Sequence, residues 1–166
     1  VTTASGLDIQ RLHADADHDG ITKLVVGAIV HADDQVLILR RSAEDTFMAG
    51  IEELPSGGVE SGENLLTALE RELAEEIGWT GQLVLDPGFV THFDYTSGSG
   101  RKARQYTFGV PHHGQSIVLS TEHTAYRWLR PADLNDSDVT EETARAILEW
   151  TASCPWQQSS TKVRRD

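Results

Sequence analysis

Residues 57–79 read GGVESGENLLTALERELAEEIGW. Within them Leu66, Leu69, Leu73 and Ile77 recur at spacings of three and four, the apolar stripe of an amphipathic helix predicted over 63–77. Ser61 stands where an N-cap belongs, and Gly78 where a helix stops. Each helical residue turns by about 100°, so Glu72, Glu75 and Glu76 fall within an arc of about 100° beside the stripe. If the stripe packs on a sheet, the three carboxylates project together from its edge. Clustered like charges repel one another unless a cation lies among them. An all-oxygen donor set of this kind suits Mg²⁺ or Mn²⁺. A bare charge run also describes the solvated face of a surface helix, so the surrounding spacing decides between the two readings.

That spacing is specific. Gly57 is followed after five residues by Glu63, and after seven more by Arg71-Glu72-Leu73. Glu75-Glu76, Gly78 and the bulky Trp79 complete the pattern. A chance match at a given start is about one in 10⁸ at average residue usage. The stretch resembles the Nudix box at every fixed position, and the chain is identified on it as a member of the Nudix hydrolase superfamily. The resemblance implies an α/β fold, an α/β/α sandwich with a mixed β-sheet between helices. It implies hydrolysis of a diphosphate linkage in a nucleoside diphosphate joined to another group, with Mg²⁺ or Mn²⁺ as cofactor. Glu72, Glu75 and Glu76 would then be metal-binding and catalytic, with Glu72 either a ligand or the base that deprotonates water. Gly57-Gly58 permits unusual backbone angles, and the resemblance implies that the Ser56 carbonyl turns toward the same metal. Arg71 is expected to pair with Glu63 or a neighbouring carboxylate and fix the loop to the helix.

Outward from the box, 23–31 and 35–40 are apolar, β-branched runs split by Ala32-Asp33-Asp34, a predicted hairpin. Residues 42–62 read as loop. Strands are predicted at 82–85, 88–95, 103–110 and 124–130, with 96–100 a flexible hairpin loop. A second amphipathic helix is predicted over 139–152, with Asp138 and Glu141 spaced as a capping box. Residues 1–20 lack clear periodicity and read as a flexible arm. Residues 21–153 then form a single domain, and 154–166 a polar tail.

Composition bounds the function classes. The 166 residues carry a net charge of -12. That balance argues against DNA or RNA as partner, because backbone affinity comes mainly from Lys and Arg. A small phosphorylated substrate remains compatible if a divalent cation lies between carboxylate and phosphate. No apolar run approaches the roughly 20 residues that cross a bilayer, and residues 1–20 contain no apolar core of a secretory signal. Cys154 is the one cysteine, which excludes an intrachain disulfide and fits a cytoplasmic location. A homodimer stays open.

Further site candidates lie outside the box. Several Nudix hydrolases place another metal-binding or catalytic glutamate in a loop at the stage of the chain where Glu122 stands. Glu122 therefore competes with Glu72 for the base role, and His123 beside it is a candidate proton-transfer group. Arg40 and Arg41 end a strand facing the box and suit bidentate phosphate contact. Arg104, Tyr106 and Phe108 share a strand face that either stacks a base or packs on a helix. Trp128 and Trp150 read as core. His112-His113 lacks Cys or His partners at zinc spacing. Compact size resembles the small nucleoside-triphosphate pyrophosphohydrolases. Alternatives are a dinucleoside polyphosphate hydrolase, if Tyr95 contacts substrate, and a non-catalytic nucleotide-metabolite sensor on the same fold. A prenyl diphosphate isomerase is disfavoured, since Cys154 follows the last helix.

Overall fold

The structure is a computed structural model that describes residues 6–46 and 48–154. Strand β1 (Lys23–Ala32) turns into β2 (Gln35–Arg41) through Asp33 and Asp34, both at positive φ (50° and 66°). Such a turn matches the twist of the flanking strands. The two strands pair only beside it, at His31–Val36 and Ala32–Gln35, and then part. The short strands β3 (Glu52–Glu53) and β4 (Ser56–Gly58) come in at the gap. β3 pairs with β2, β4 pairs with β1, and the amide of Ala28 donates to the carbonyl of Pro55 between them. The segment predicted as loop over 42–62 thus contains the two strands that hold the sheet together where β1 and β2 separate.

Helix α2 (Leu65–Ile77) follows, then β5 (Val90–Thr96), β6 (Lys102–Pro111) and β7 (His123–Leu129). β6 lies parallel to β1 and antiparallel to β5, and β7 pairs antiparallel with β2. The sheet is therefore mixed, in the order β3-β2-β1-β6-β5, with β4 on β1 and β7 on β2. One face carries Val26, Ala28, Leu37, Leu39, Tyr106 and Phe108 against Leu65, Leu69, Leu73 and Ile77 of α2. The other carries Ile29, Val36, Ile38 and Leu129 against Ile147 and Trp150 of α3 (Glu141–Ser153). Strand alternation sends successive side chains to opposite faces, which gives the expected α/β/α sandwich. Each fully buried Leu or Ile of α2 contributes about 1.5–3 kcal/mol relative to exposure, enough to hold the helix rigidly on the sheet.

Several sequence expectations change. Residues 9–18 are not an arm but helix α1 (Ile9–His18), capped by Asp8, whose side chain accepts the Arg11 amide at 3.1 Å. Leu12 packs on the core and Ala16 is fully buried; the signal was Ile9, Leu12 and Ala16 at spacings of three and four, obscured by interleaved charges. α2 starts at Leu65 with Asn64, not Ser61, as its N-cap. Residues 82–85 form no strand, although Leu83 and Leu85 are buried. α3 is capped by Thr140, while Asp138 accepts from Arg40 instead. Cys154, placed in the polar tail, is buried beside Trp150. Residues 155–166 of that tail lie outside the described residues, as do residues 1–5.

Candidate active site

Arg71 ties the box together. Its guanidinium donates to both carboxylate oxygens of Glu63 at 2.8 and 2.9 Å, to Glu72 Oε1 at 2.7 Å and to the Gly58 carbonyl at 2.8 Å. A planar fork with several donors can satisfy partners on two elements at once, which a lysine cannot. These bonds hold the Glu63 carboxyl down at about 2. They join β4, the turn before α2 and the helix into one unit.

Gly57 is required for a different reason than backbone freedom. It lies within strand β4 and does not have positive φ. A Cβ there would stand 1.9 Å from Cδ of Glu72, so the carboxylate lies directly over the glycine backbone. Gly78, at φ 71°, combines the left-handed helix stop with a close approach: a Cβ would meet Val118 at 2.9 Å. The loop before β7 docks here. Val118 donates its amide to the Ile77 carbonyl and Ser120 to that of Glu76. These two bonds use carbonyls that the end of α2 leaves unpaired, and they deliver Glu122 and His123 to the helix.

Glu76 is buried, and its Oε2 accepts the Ser56 amide at 2.9 Å. Burial, reinforced by the charges of Glu53, Glu72 and Glu122 against the opposing Ser56 bond, pushes its carboxyl up to about 9. Burial also raises Glu72; Arg71 opposes the shift, while Glu75 and Glu122 add to it. One carboxylate oxygen each from Glu76 and Glu122 and one ring nitrogen of His123 lie within 4.8 Å of one another. Glu122 is exposed and His123 buried. Glu75 points outward, its side chain 59% exposed, and reaches Arg71 at 3.4 Å.

Glu53 was missed by the sequence reading. It stands on β3, its Oε1 bonded to His123 Nε2 at 2.8 Å and to Arg41 at 3.1 Å. Its negative charge acts on Glu76. Nothing local in residues 52–55 marks it, since its partners lie on other strands.

The other sequence candidates are placed elsewhere or already paired. Arg40 is held by the Gly50 carbonyl and Asp138. Arg41 is beside the cluster, in ion pairs with Glu53 and Asp45. Arg104 is buried between Asp94 and Asp19, and Tyr106 is buried with its hydroxyl donating to the Leu12 carbonyl. Their shared face packs under α1 rather than standing open for a base. Tyr95 is on β5, at the opposite edge of the sheet from β3, in ring contact with Phe93.

The cluster meets the requirements of a hard divalent cation. It concentrates oxygen donors, and burial together with like-charge repulsion disfavours the ionised form of Glu76 unless positive charge is nearby. Glu72, Glu76 and Glu122, with Ser56 adjoining Glu76, are the residues at hand to hold it.

Comparison with known proteins identifies the family of the chain. The family model described as NUDIX domain matches residues 22–151. The chain is similar to the nucleoside triphosphatase NudI of Escherichia coli, at 27% identity over 136 residues, covering 75% of this chain and 94% of that protein. In fold it is similar to an Ap4A hydrolase from C. elegans, with TM-score 0.67 at 19% identity, covering 79% of this chain and 96% of that one. It is also similar in fold to a MutT protein from Methanosarcina mazei, with TM-score 0.65 at 24% identity, covering 84% of this chain and 96% of that one. The box at 57–79, the sandwich that presents it and the family match across 22–151 together establish that this chain belongs to the NUDIX-domain family of hydrolases.

Proposed function

We propose that this hydrolase cleaves a diphosphate linkage in a small nucleotide, most closely a nucleoside triphosphate, in a reaction that depends on Mg²⁺ or Mn²⁺. The observation that carries the reading is the meeting of Glu76 and Glu122 with His123 at the end of α2, one donor atom of each within 4.8 Å, with the charge of Glu72 acting on the buried Glu76 from one turn earlier. Such a group is stabilised as a ligand rather than as a solvated surface charge. The likeness to a nucleoside triphosphatase over most of both chains supports the substrate class.

In this reading Glu72, Glu76 and Glu122 hold the cation with the Ser56 carbonyl, and Glu75, turned outward toward Arg71, stays outside the set. When bound, the cation would neutralise phosphate charge and assist departure of the leaving phosphate. Glu122, exposed at the open side of the cluster, holds the cation through one carboxylate oxygen and accepts the proton of the attacking water through the other. Glu72 competes for that role, but the Arg71 hydrogen bond at 2.7 Å occupies one of its oxygens. Arg71 and Glu63 act as positioning residues that keep Glu72 over Gly57. Arg40, Arg104 and Tyr106 have no part in the proposal, because their polar groups are engaged in holding the fold.

The test is a hydrolysis screen over nucleoside triphosphates, oxidised deoxynucleotides, ADP-ribose, nucleotide sugars and dinucleoside polyphosphates, with and without Mg²⁺. Release of pyrophosphate or phosphate from a triphosphate, abolished by chelator, is the expected result. Preferred turnover of a dinucleoside polyphosphate would reassign the substrate, and silence across the panel would favour a binding role.

A further inference from the structure

We infer that His123 supplies a nitrogen ligand, through Nδ1, to the cation held by Glu76 and Glu122; the inference rests on the metal-dependent reading of this site. A ring nitrogen of His123 already lies within 4.8 Å of an oxygen of each carboxylate. Ligand atoms on a small octahedral cation stand about 3 Å apart when adjacent and about 4.2 Å apart when opposite, so the three groups draw inward when the ion binds.

The tautomer follows from the partners. Nε2 is bonded to Glu53 Oε1 at 2.8 Å, and that oxygen also accepts from Arg41. A carboxylate only accepts, so the neutral ring carries its proton on Nε2 and leaves the lone pair on Nδ1. Nδ1 is buried, on a residue only 4% exposed, with no hydrogen-bond partner among the described residues. Buried polar atoms are almost always paired. His13 Nε2 and His112 Nε2 are also buried without a partner among the described residues, but of the three rings only His123 stands in a group of close carboxylates. An imidazole fixed by a carboxylate on one nitrogen and bare on the other is the arrangement of a metal-ligating histidine. The sequence does not disclose it, because Glu53 is 70 residues away from His123.

A nitrogen among oxygen donors changes which ion the site prefers. Imidazole raises affinity for Mn²⁺ and Co²⁺ more than for Mg²⁺. His123 thus sets metal preference, while the carboxylates set charge.

The full chain loaded with Mn²⁺ is examined by electron spin-echo spectroscopy, unlabelled and grown with ¹⁵N-histidine. The expected spectrum carries directly coordinated ¹⁴N modulation that changes on labelling. It disappears in His123→Gln and persists in His113→Gln, an exposed histidine. Titrations should show that His123→Gln weakens Mn²⁺ binding by about tenfold or more and Mg²⁺ binding by less. The labelled parent keeps the test valid if the variant misfolds. Mn²⁺ bound without ¹⁴N modulation, modulation that survives in a folded His123→Gln protein, or no Mn²⁺ binding overturns the inference. The parallel nucleotide screen separates the two readings. Hydrolysis without nitrogen coordination removes His123 and keeps the hydrolase; nitrogen coordination without hydrolysis does the reverse.

Discussion

The carboxylate of Glu72 rests against the backbone of Gly57, where a single added Cβ would lie 1.9 Å from Glu72 Cδ and 2.1 Å from its Oε2. The glycine is therefore a seat for a site carboxylate, and side-chain bulk is what the position excludes. Gly57→Ala should push Glu72 aside and disturb its bond to Arg71. A displacement of about 1 Å at a reacting centre costs about 10²-fold in rate, and a loss of that order in turnover is expected with the far-UV circular dichroism unchanged. Wild-type kcat in this variant would show that Glu72 does not need its seat.

Arg71→Lys asks whether charge or geometry holds the box. Lysine keeps the charge but cannot span Glu63, Glu72 and the Gly58 carbonyl together. Turnover should fall markedly, with Glu72 no longer anchored, and Tm should fall as well. A crystal structure of the variant with Glu72 unmoved would refute the positioning role.

Glu122 is exposed, so Glu122→Gln should leave Tm within about 2 °C of the parent, as surface changes away from packing usually do. A base or ligand at the site contributes about 10²–10⁴-fold, and kcat is expected to drop in that range. Near-parental kcat at saturating Mg²⁺ and substrate returns the base role to Glu72.

Glu76→Gln keeps the acceptor for the Ser56 amide while removing the ionisable group that burial beside Glu53, Glu72 and Glu122 keeps protonated in the metal-free protein. The metal-free variant should be as stable as the parent or more so. Its Mg²⁺-induced rise in Tm should vanish, and turnover should fall by orders of magnitude. Survival of both the Mg²⁺ shift and the activity would withdraw the metal assignment.

Asp86 governs part of the acid sensitivity, away from the site. Its Oδ2 is bonded to His31 at 2.8 Å and to the Trp150 indole at 2.9 Å. Burial alone would raise its carboxyl, but these bonds outweigh it and hold the group below the ordinary aspartate range. A depressed acid stabilises the fold fully above its unfolded value of about 3.9, and that contribution is lost as pH falls through the lower folded value. Denaturant titrations should therefore find Asp86→Asn less stable than the parent at pH 7, with the gap closing toward pH 3. A gap independent of pH would show that the charge contributes nothing.

Helix periodicity and spacing alone located α2 and its apolar stripe through Leu69, Leu73 and Ile77, although Leu65 rather than Leu66 is the fully buried member at its start, because residues three and four apart on a helix share a face whatever surrounds it. The Arg71–Glu63 pair was legible for the same reason: its partners are eight residues apart and flank one helix start. Tertiary structure decided which carboxylates are buried. Glu76 points into the sheet while Glu75, its neighbour, faces out, a distinction set by the rotation of α2 against β1 and β4. Tertiary structure also brought Glu53 to His123 across 70 residues, and Arg40 to Asp138 across 98. A strand-end arginine reads the same in sequence whether it awaits a phosphate or already has a carboxylate. The partner is chosen by the pairing of distant strands, and the energy of a charged side chain depends on that partner and on its distance from water.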